Sequence, residues 1–552
     1  MAEASTTGVK NSSRMPSSQE DDHANMAEKQ HQHSATDEPP SELPTSSLDH
    51  HEAQSPYSIH SSWGKKWIVL AASISAFFSP LTAQIYLPAL NVLAKDFGVS
   101  SAKMNLTVTT YMIFQGVIPM FIGGFADAAG RRPAYIICFV VYIAANIGLA
   151  LSKTYASLLI VRCLQSTGSA ATVALCQAVV ADIVTSAERG QYIGFTVLPV
   201  VLAPSLGPVI GGLLSEYLGW RWIFWFLAIL ASANLVFLFL FFPETCRRIV
   251  GDGSARGRLV HETLWAILKR HLAGKKHKLE RHSSRQTAIS FPQPSSPAFS
   301  FRPLLTSLIL LFTNTELLLI LLHSGTIFAG FYAITTAIPS QFHKLYPSLS
   351  DVEIGLLYLP IAGGSIAAAF FCGPALGWNY RRHAKRVGLE AVDKNRQVNL
   401  TKAKFPIERA RLEIGSPLLA LSIVVMLTWG WAVEYSGGLA APCVLLFLFG
   451  VGMIGFNNSA NALIVDISPG NAGAAVAAGN LTRCLLGAVA SAVIVPLLDA
   501  IGSGWTYTLF AGLYLAVTPM LWVVVKRGLK WREEWDAKEE AKKRKMEGED
   551  SS

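Results

Sequence analysis

The chain has 552 residues, of which 51% are hydrophobic and only 15% charged. This composition excludes a soluble multi-domain protein, because the apolar residues are gathered into long blocks of membrane-spanning length. The formal net charge of +9 does not require a nucleic-acid partner, since membrane topology and anionic lipid account for it.

Apolar blocks of about 20 residues or more recur along the chain, long enough to cross ~30 Å of hydrocarbon as helices. Any one block could be a buried core helix, but twelve with short polar gaps predict twelve transmembrane helices. Helices are required because lipid offers no partners to backbone groups, and the alternation of a β-barrel is absent. The predicted spans are 67–88, 104–125, 133–152, 155–180, 191–214, 221–242, 316–338, 353–376, 417–436, 440–464, 472–498 and 504–525.

One short motif occurs twice, as GGFADAAGRR (Gly123–Arg132) and CGPALGWNYRR (Cys372–Arg382). Glycines at 123 and 373 and arginine pairs at 131–132 and 381–382 share one register, and both copies lie between apolar blocks. Two similar halves, each with a basic turn at one membrane face, indicate a secondary transporter. We therefore expect an all-α membrane protein with two pseudo-symmetric six-helix bundles.

The distribution of lysine and arginine predicts the orientation. With both termini in the cytoplasm, the outward-facing loops hold only five of these residues, and the inner loops and tails hold nearly all the others. The five outward residues are Lys95, Lys103, Lys153, Arg221 and Lys344.

The predicted segments are a disordered cytoplasmic tail (1–62), an N-terminal bundle (63–243), a cytoplasmic linker with an interfacial helix (244–303), a C-terminal bundle (304–525) and a cytoplasmic C-tail (526–552).

The turn after the second span combines Gly123, Asp127, Gly130, Arg131 and Arg132. A topology signal would need the arginines alone, so the combination with glycines and an acid is more specific. It resembles the loop motif of the major facilitator superfamily, and this resemblance implies a gating role. Asp127 follows the negative end of a helix dipole and therefore needs a partner. In the second copy its position is occupied by a glycine, Gly377, so we expect the mirrored ion pair to be absent and the halves to gate unequally.

The fourth span carries one polar stripe at three- and four-residue steps. Arg162 lies about two turns into this span, where a charge is costly unless it faces the bundle interior. A structural hydrogen bond to carbonyls is one interpretation, and coupling to protons or to an anionic substrate is the other. The stripe consists of Arg162, Gln165, Ser166, Ser169, Thr172 and Cys176.

The fifth span contains LGPVIGG, in which Gly207, Gly211 and Gly212 form a small-residue face and Pro208 predicts a kink. Generic helix packing is the alternative to a functional motif.

Further polar positions complete a predicted substrate or proton pathway. His323 could titrate near neutrality or simply be a packed donor. The others are Ser79 and Gln84 in the first span, Tyr332 in the seventh, Asn457 and Asn461 in the tenth, and Arg483 in the eleventh.

Several segments resemble the fungal twelve-span drug:proton antiporters of the quinidine-resistance type, in the major facilitator superfamily. They include IYLPAL (85–90), RCLQSTGSAATVAL (162–175), GWNYRRHAKR (377–386) and GNLTRCLLGA (479–488). The resemblance implies the major facilitator fold, with a midplane cavity between the halves. It also implies proton-driven efflux of drugs or secondary metabolites at the plasma membrane. Glycines of the fuller fifth-span antiporter motif are replaced by Pro199 and Ala203.

We expect a transporter and not an enzyme, with a small-molecule substrate and protons as partners, the lipid bilayer around it, no nucleic acid, and a monomeric state. No cofactor or metal is expected, because the seven cysteines are scattered without ligand spacing. An organic-acid exporter, for citrate or itaconate, is one alternative, with Arg162 and Arg483 pairing with carboxylates. A non-transporting membrane sensor that signals through its tails is the alternative of a different class.

Overall fold

A computed structural model describes residues 58–59, 61–184, 189–251, 261, 263–265, 308–309, 311–388, 405–435, 438–468 and 472–550. Most of the N-terminal tail and of the linker, including nearly all of its predicted interfacial helix, lies outside the described residues. The described chain is built from helices, and many begin at a polar cap. The side chains of Ser61, Ser100, Thr154 and Asn314 each accept a backbone N–H from the first turn of their helix, as N-cap residues do.

The first half contains nine helices among the described residues. They are α1 (Ser62–Ile85), α2 (Leu90–Asp96), α3 (Ser101–Ala129), α4 (Arg131–Ala150), α5 (Tyr155–Ser169), α6 (Thr172–Ile183), α7 (Arg189–Leu218), α8 (Arg221–Phe241) and the short α9 (Arg247–Val250). The fourth predicted span is α5 followed by α6. The pair forms one membrane crossing, Tyr155–Ile183.

Six helices make up the described part of the second half. They are α10 (Thr315–Leu345), α11 (Asp351–Leu356), α12 (Leu359–Arg386), α13 (Ile407–Tyr435), α14 (Ala440–Ile467) and α15 (Ala472–Asp550). A capping box starts α11, where Ser350 and Glu353 bond each other's backbone N–H. The long α15 bends at Gly502, whose φ of 75° is not helical.

Ten helical stretches are long and apolar enough to cross a membrane among the described residues. One of them, Gly473–Trp535, contains the bend at Gly502 and so provides two crossings, the eleventh and the twelfth. The 30-residue helix α7 lies between the fourth and the sixth predicted spans and is long enough to be a further crossing. The twelve predicted spans are thereby present as helices, although several begin or end some residues away from the predicted limits.

Large apolar side chains cover the outside of the helices. Phe370 and Phe371 on α12 are 70% and 78% exposed, and Ile160 on α5 is 68% exposed. Exposure of this kind suits contact with lipid chains and not with water. Aromatic residues such as Tyr135 and Trp429 fill the interior instead.

The two halves meet along two seams, where α3 packs against α15 and α7 packs against α11 and α12. Two bundle ends are distinguished below. The basic face is the end that carries Arg131, Arg247, Arg381 and Arg532, and the far face is the opposite end, which carries Asn91, Glu216 and Asp351. A substrate that crosses the protein between the two halves would move from one of these faces to the other.

Candidate functional site

The predicted gating turn forms an ion-pair network at the basic face. The Arg131 guanidinium donates from Nη1 to Asp127 Oδ1 at 2.6 Å and from Nε to Asp182 Oδ2 at 2.9 Å. It therefore connects α3, α4 and α6 within the first half. The Asp127 side chain is 48% exposed, whereas those of Arg131 and Asp182 are 9% and 13% exposed. Asp182 was not predicted, although it stands at the end of a span, where an acidic residue needs a cation.

Glu244 caps the start of α4. Its carboxylate accepts the backbone N–H groups of Arg131 at 2.8 Å and Arg132 at 3.2 Å. It also accepts the N–H groups of Thr245 and Cys246, both at 2.9 Å. A negative charge at a helix N-terminus is favourable because the unpaired N–H groups and the helix dipole point toward it.

The local charge and backbone explain why this cap forms. Burial by itself raises the pKa of Glu244, but hydrogen bonds from His261 and from the Cys246 and Arg131 backbones bring it below its ordinary value. Gly130 precedes α4 with φ of +109°, a conformation that disfavours side chains. A Cβ at Gly130 would also collide with the Glu244 carboxylate. Sequence reasoning missed Glu244, since its partners in α4 lie more than a hundred positions earlier.

The second half contains a bridge like that between Arg131 and Asp182, but not at the repeated arginine pair. Arg411 at the start of α13 donates to Asp466 at the end of α14, with 2.8 Å between Nε and Oδ2. Arg381 and Arg382 are instead exposed on α12. Gly377 leaves no counterpart of Asp127, as expected. That the two halves gate unequally stays a prediction.

Arg162 lies inside the first bundle, 1% exposed. Its guanidinium carbon is 4.0 Å from the ring centre of Tyr86 and 4.5 Å from that of Tyr111. Nη1 donates to Gln165 Oε1 at 2.5 Å, and Gln165 in turn donates to Asn146 at 2.7 Å. Aromatic faces and neutral amides thus surround this charge.

The same bundle orders the other predicted polar residues around Tyr111. The Tyr111 hydroxyl contacts Ser169 Oγ at 3.1 Å and donates to the Ser79 carbonyl at 3.3 Å. The Gln115 side chain donates to Ser79 Oγ at 3.4 Å, and the backbone carbonyl of Gln115 accepts from the Asn480 side chain of the second half. A polar chain therefore runs from the interior of the first bundle to the seam between the halves. Gln115 and Asn480 were not among the predicted site residues.

We use the name central cluster for Ser324, Phe328, Tyr332, Asn457, Asn461 and Arg483. The Arg483 Nη1 atom donates to the amide oxygens of Asn457 and Asn461, both at 3.3 Å. Its guanidinium carbon is 5.2 Å from the ring centre of Phe328. The cluster joins α10, α14 and α15 beside α3, and most of its members are half-buried.

His323 lies apart from the central cluster. Its side chain is 0% exposed, and its ring packs edge-on against Phe456 with 5.1 Å between ring centres. Gln84 is likewise buried, beside the Gly207 backbone of α7. The structure therefore brings together only some of the residues predicted to form the substrate or proton pathway. In the described residues, no group of three or more His, Cys, Asp or Glu side chains could hold a metal ion.

The glycine face of α7 serves two contacts. A Cβ at Gly211 would collide with the Ile85 carbonyl of α1, and one at Gly212 would lie 2.5 Å from the Asp351 carbonyl of the second half. Conversely, a Cβ at Gly355 would lie 2.6 Å from the Pro208 carbonyl. Only glycine permits this backbone approach, so the motif seals the first bundle and the seam at once.

Among the described residues, three hydrogen bonds join the halves at the far face. Ser215 donates to Asp351 Oδ2 at 2.9 Å, and the Val352 N–H donates to Glu216 at 2.9 Å. Asn91 donates to the Pro339 carbonyl at 2.7 Å. We call these three bonds the far-face latch. At the basic face, in contrast, a Cβ at Gly123 or at Gly373 would meet no atom within 4 Å.

Comparison with known proteins supplies the family. Residues 72–492 match the Major Facilitator Superfamily. The chain is 43% identical to the fungal MFS-type transporter phiD, over 88% of this chain and 72% of that protein. It is 42% identical to MFS-type transporter tstD of Talaromyces stipitatus, over 90% and 88%, and 34% identical to citrate exporter 1 of Aspergillus niger, over 87% and 90%. A crystal structure of the peptide transporter POT, 13% identical, covers 86% of this chain and 97% of its own with a TM-score of 0.57, which agrees in fold alone.

Proposed function

The chain belongs to the major facilitator superfamily, and on that premise we propose that it is a proton-coupled antiporter that exports small organic molecules. The quinidine-resistance type of fungal drug:proton antiporter fits this proposal, because similar proteins such as phiD and tstD are fungal MFS-type transporters. We place the protein as a monomer in the plasma membrane.

The positive-inside rule assigns the basic face to the cytoplasm. Arginine pairs lie at that face in both halves, at 131–132 and 381–382. Both termini then lie in the cytoplasm, and the far-face latch lies outside. Export requires that substrate enter from the basic face and leave through the far face.

The observation that carries the proposal is the asymmetry between the two faces. The far-face latch joins the halves through hydrogen bonds of 2.7 to 2.9 Å. At the basic face, Asp127 is half exposed and bonds Arg131 of its own half. This arrangement is expected of an exporter in the conformation that binds substrate from the cytoplasm, since alternating access opens one face while the other is closed.

The central cluster supports an organic, amphipathic substrate. The rings of Phe328, Phe331 and Tyr332 lie together, with 5.3 to 6.5 Å between ring centres. Asn457 and Asn461 offer amide groups beside them. Apolar walls with a few placed polar groups are the common lining of small-molecule sites.

Transport into vesicles tests the proposal. Purified protein in liposomes with an imposed pH gradient should accumulate labelled quinidine, and a protonophore should abolish the accumulation. Protein-free liposomes control for passive partition of the compound. Accumulation that ignores the protonophore would contradict proton coupling, and absence of transport for every compound tested would favour the sensor.

Organic-acid export is a second candidate, favoured by the environment of Arg483. In the part of the chain that the structure describes, the groups acting electrostatically on this guanidinium are Cys484 and Tyr332, neither of them a carboxylate. A half-buried charge without a counter-ion at mid-membrane depth is costly, and a substrate carboxylate would offset that cost. Citrate exporter 1 is a relative of this chain.

Substitution at Arg483 separates the two candidates. Arg483→Gln should abolish citrate efflux and leave quinidine efflux within about threefold if a carboxylate binds there. Arg483→Lys should restore little, because an ammonium group lacks the planar fork that binds carboxylates through two bonds. Citrate efflux that survives Arg483→Gln would refute the organic-acid assignment.

A further inference from the structure

Three side chains meet inside the second half near the basic face. Glu316 lies in the first turn of α10, Glu408 in the first turn of α13, and Arg532 on α15, beyond the twelfth predicted span. They are 1%, 2% and 7% exposed. Buried acids are rare unless each is paired, so two of them beside one arginine require an explanation.

Arg532 binds Glu408 directly. Its Nε and Nη2 atoms are 2.8 and 2.7 Å from Glu408 Oε1, and Nη2 also donates to the Phe405 carbonyl at 3.1 Å. The backbone of α15 closes over this pair, since a Cβ at Gly528 would lie 2.7 Å from Glu408 Oε1. The hydrogen bonds of the arginine therefore go to Glu408, and Arg532 acts on Glu316 only through its charge.

Glu316 and Glu408 lie close enough to act on each other as charges and as hydrogen-bonding groups. Its Oε1 atom is buried and accepts no hydrogen bond in the structure. Two carboxylates cannot bond each other unless one of them carries a proton, because both are acceptors only when ionised. The contact therefore requires a hydrogen that one of the acids supplies.

The charges around the pair lead to the same conclusion. On α13 and α14, Arg411 and Asp466 already form their own bridge at 2.8 Å, with Arg532 also acting on Asp466. On α12, His383 pairs with Glu413 at 2.9 Å. The remaining cations of this stretch of α15, which are Lys526, Arg527 and Lys530, are exposed to the surroundings.

Within the described residues, Arg532 is therefore the cation available to both acids. If Glu316 and Glu408 were both ionised, one negative charge would stay uncompensated in a buried site. Such a charge costs several kcal/mol, and a carboxyl group avoids that cost by remaining neutral.

We propose that Glu316, Glu408 and Arg532 form a proton-binding site, in which the two carboxyl groups share one proton and Glu316 donates it to Glu408. The site is separate from the central cluster, and its existence does not depend on the proposed function. Because α10 carries Glu316 and, farther along, Ser324 and Tyr332, a change of charge here acts on a helix of the central cluster.

Infrared spectroscopy of the purified full-length protein tests the site. At about pH 8 exposed carboxyl groups are ionised, so a protonated carboxyl C=O band that remains at this pH reports a retained proton. We expect this band in the wild type, its loss in Glu316→Gln and Glu408→Gln, and its retention in the matched control Glu533→Gln. Glu533 is exposed and adjacent to Arg532. Absence of the band in the wild type, or its persistence in both glutamine variants, would overturn the proposal.

Thermal unfolding against pH supplies a second readout. A proton held by the folded state and lost on unfolding lowers stability as pH rises, by up to tenfold in the unfolding equilibrium constant per pH unit. Glu316→Gln keeps a neutral donor toward Glu408, so this variant should fold and should lose that component of the pH dependence. Identical pH profiles in the wild type, Glu316→Gln and Glu533→Gln would contradict the shared proton.

Discussion

Replacement of Glu244 should loosen the basic-face end of the first half. Glu244→Ala removes a buried carboxylate that accepts four backbone N–H groups, two of them at the start of α4. Loss of an N-cap costs about 1 kcal/mol, and a hydrogen bond to a charged group about 1.5–3 kcal/mol. The four bonds do not contribute independently, and water that enters the gap replaces part of them. We therefore expect a destabilisation of about 3–4 kcal/mol for Glu244→Ala and about 2 kcal/mol for Glu244→Gln.

The thiol of Cys246 gives a local assay for this change. It is 2% exposed, and burial raises its pKa, so it should react slowly with a maleimide in the wild type. Both Glu244 variants should speed labelling of Cys246, measured by mass spectrometry together with the unfolding temperature. Thr245→Val is the matched control, because the buried Thr245 hydroxyl has no hydrogen-bond partner in the structure. Equal labelling and equal unfolding temperature in Glu244→Ala and the control would refute the capping role.

The same contacts predict a pH dependence. Glu244 has a pKa below its ordinary value of 4.5 despite burial, because His261 and backbone N–H groups stabilise its ionised form. A carboxyl group with a lowered pKa adds stability above its unfolded-state pKa, and this stability disappears as pH falls through the folded-state value. Wild-type protein should therefore lose stability below about pH 4.5 more steeply than Glu244→Gln does. Parallel acid unfolding curves would contradict this reasoning.

Three other substitutions address the seams and the buried arginine. The Asp127→Asn variant should remain inserted but lose most transport, since the charge biases a conformational equilibrium and not the fold. Cysteine accessibility from each membrane side, measured together with transport, checks this. Unchanged accessibility and transport would show that Asp127 only marks the topology. Arg162→Ala should abolish export and Arg162→Lys should keep part of it if charge alone matters, whereas full activity of Arg162→Ala would make the residue structural. Gly212→Leu should prevent far-face closure because its side chain would collide with Asp351, and wild-type export rates in vesicles would argue against that seal.

Hydropathy and the repeated motif were sufficient to predict the helices and their two halves, because lipid allows few alternatives for the backbone. Contacts between distant segments were harder to foresee. Arg411 forms the bridge of the second half from a position beyond the repeated arginines, and the repeated motif gave no sign of it. Arg532 stands in the segment predicted to be a cytoplasmic C-tail, yet it is 7% exposed.

The site residues were also predicted only where the signal lies within one helix. A polar stripe at helical spacing showed which residues share a face with Arg162, but not that Tyr86 and Tyr111 enclose it. The partners of Glu244 depend on how α4, α8 and the following turn come together in space. Neither residue type nor spacing encodes that approach, and a single sequence does not reveal it.

The close approach of α7 also limits how a protein of this kind can diversify. Its glycine face contacts α1 at Gly211 and α11 at Gly212, so an added side chain at either position disturbs a close backbone contact. Half-buried side chains such as those of Asn457 and Asn461 are not confined by a backbone contact of this kind. We therefore expect substrate range to drift through α14 and its neighbours, while α7 remains under strong purifying selection whatever cargo is carried.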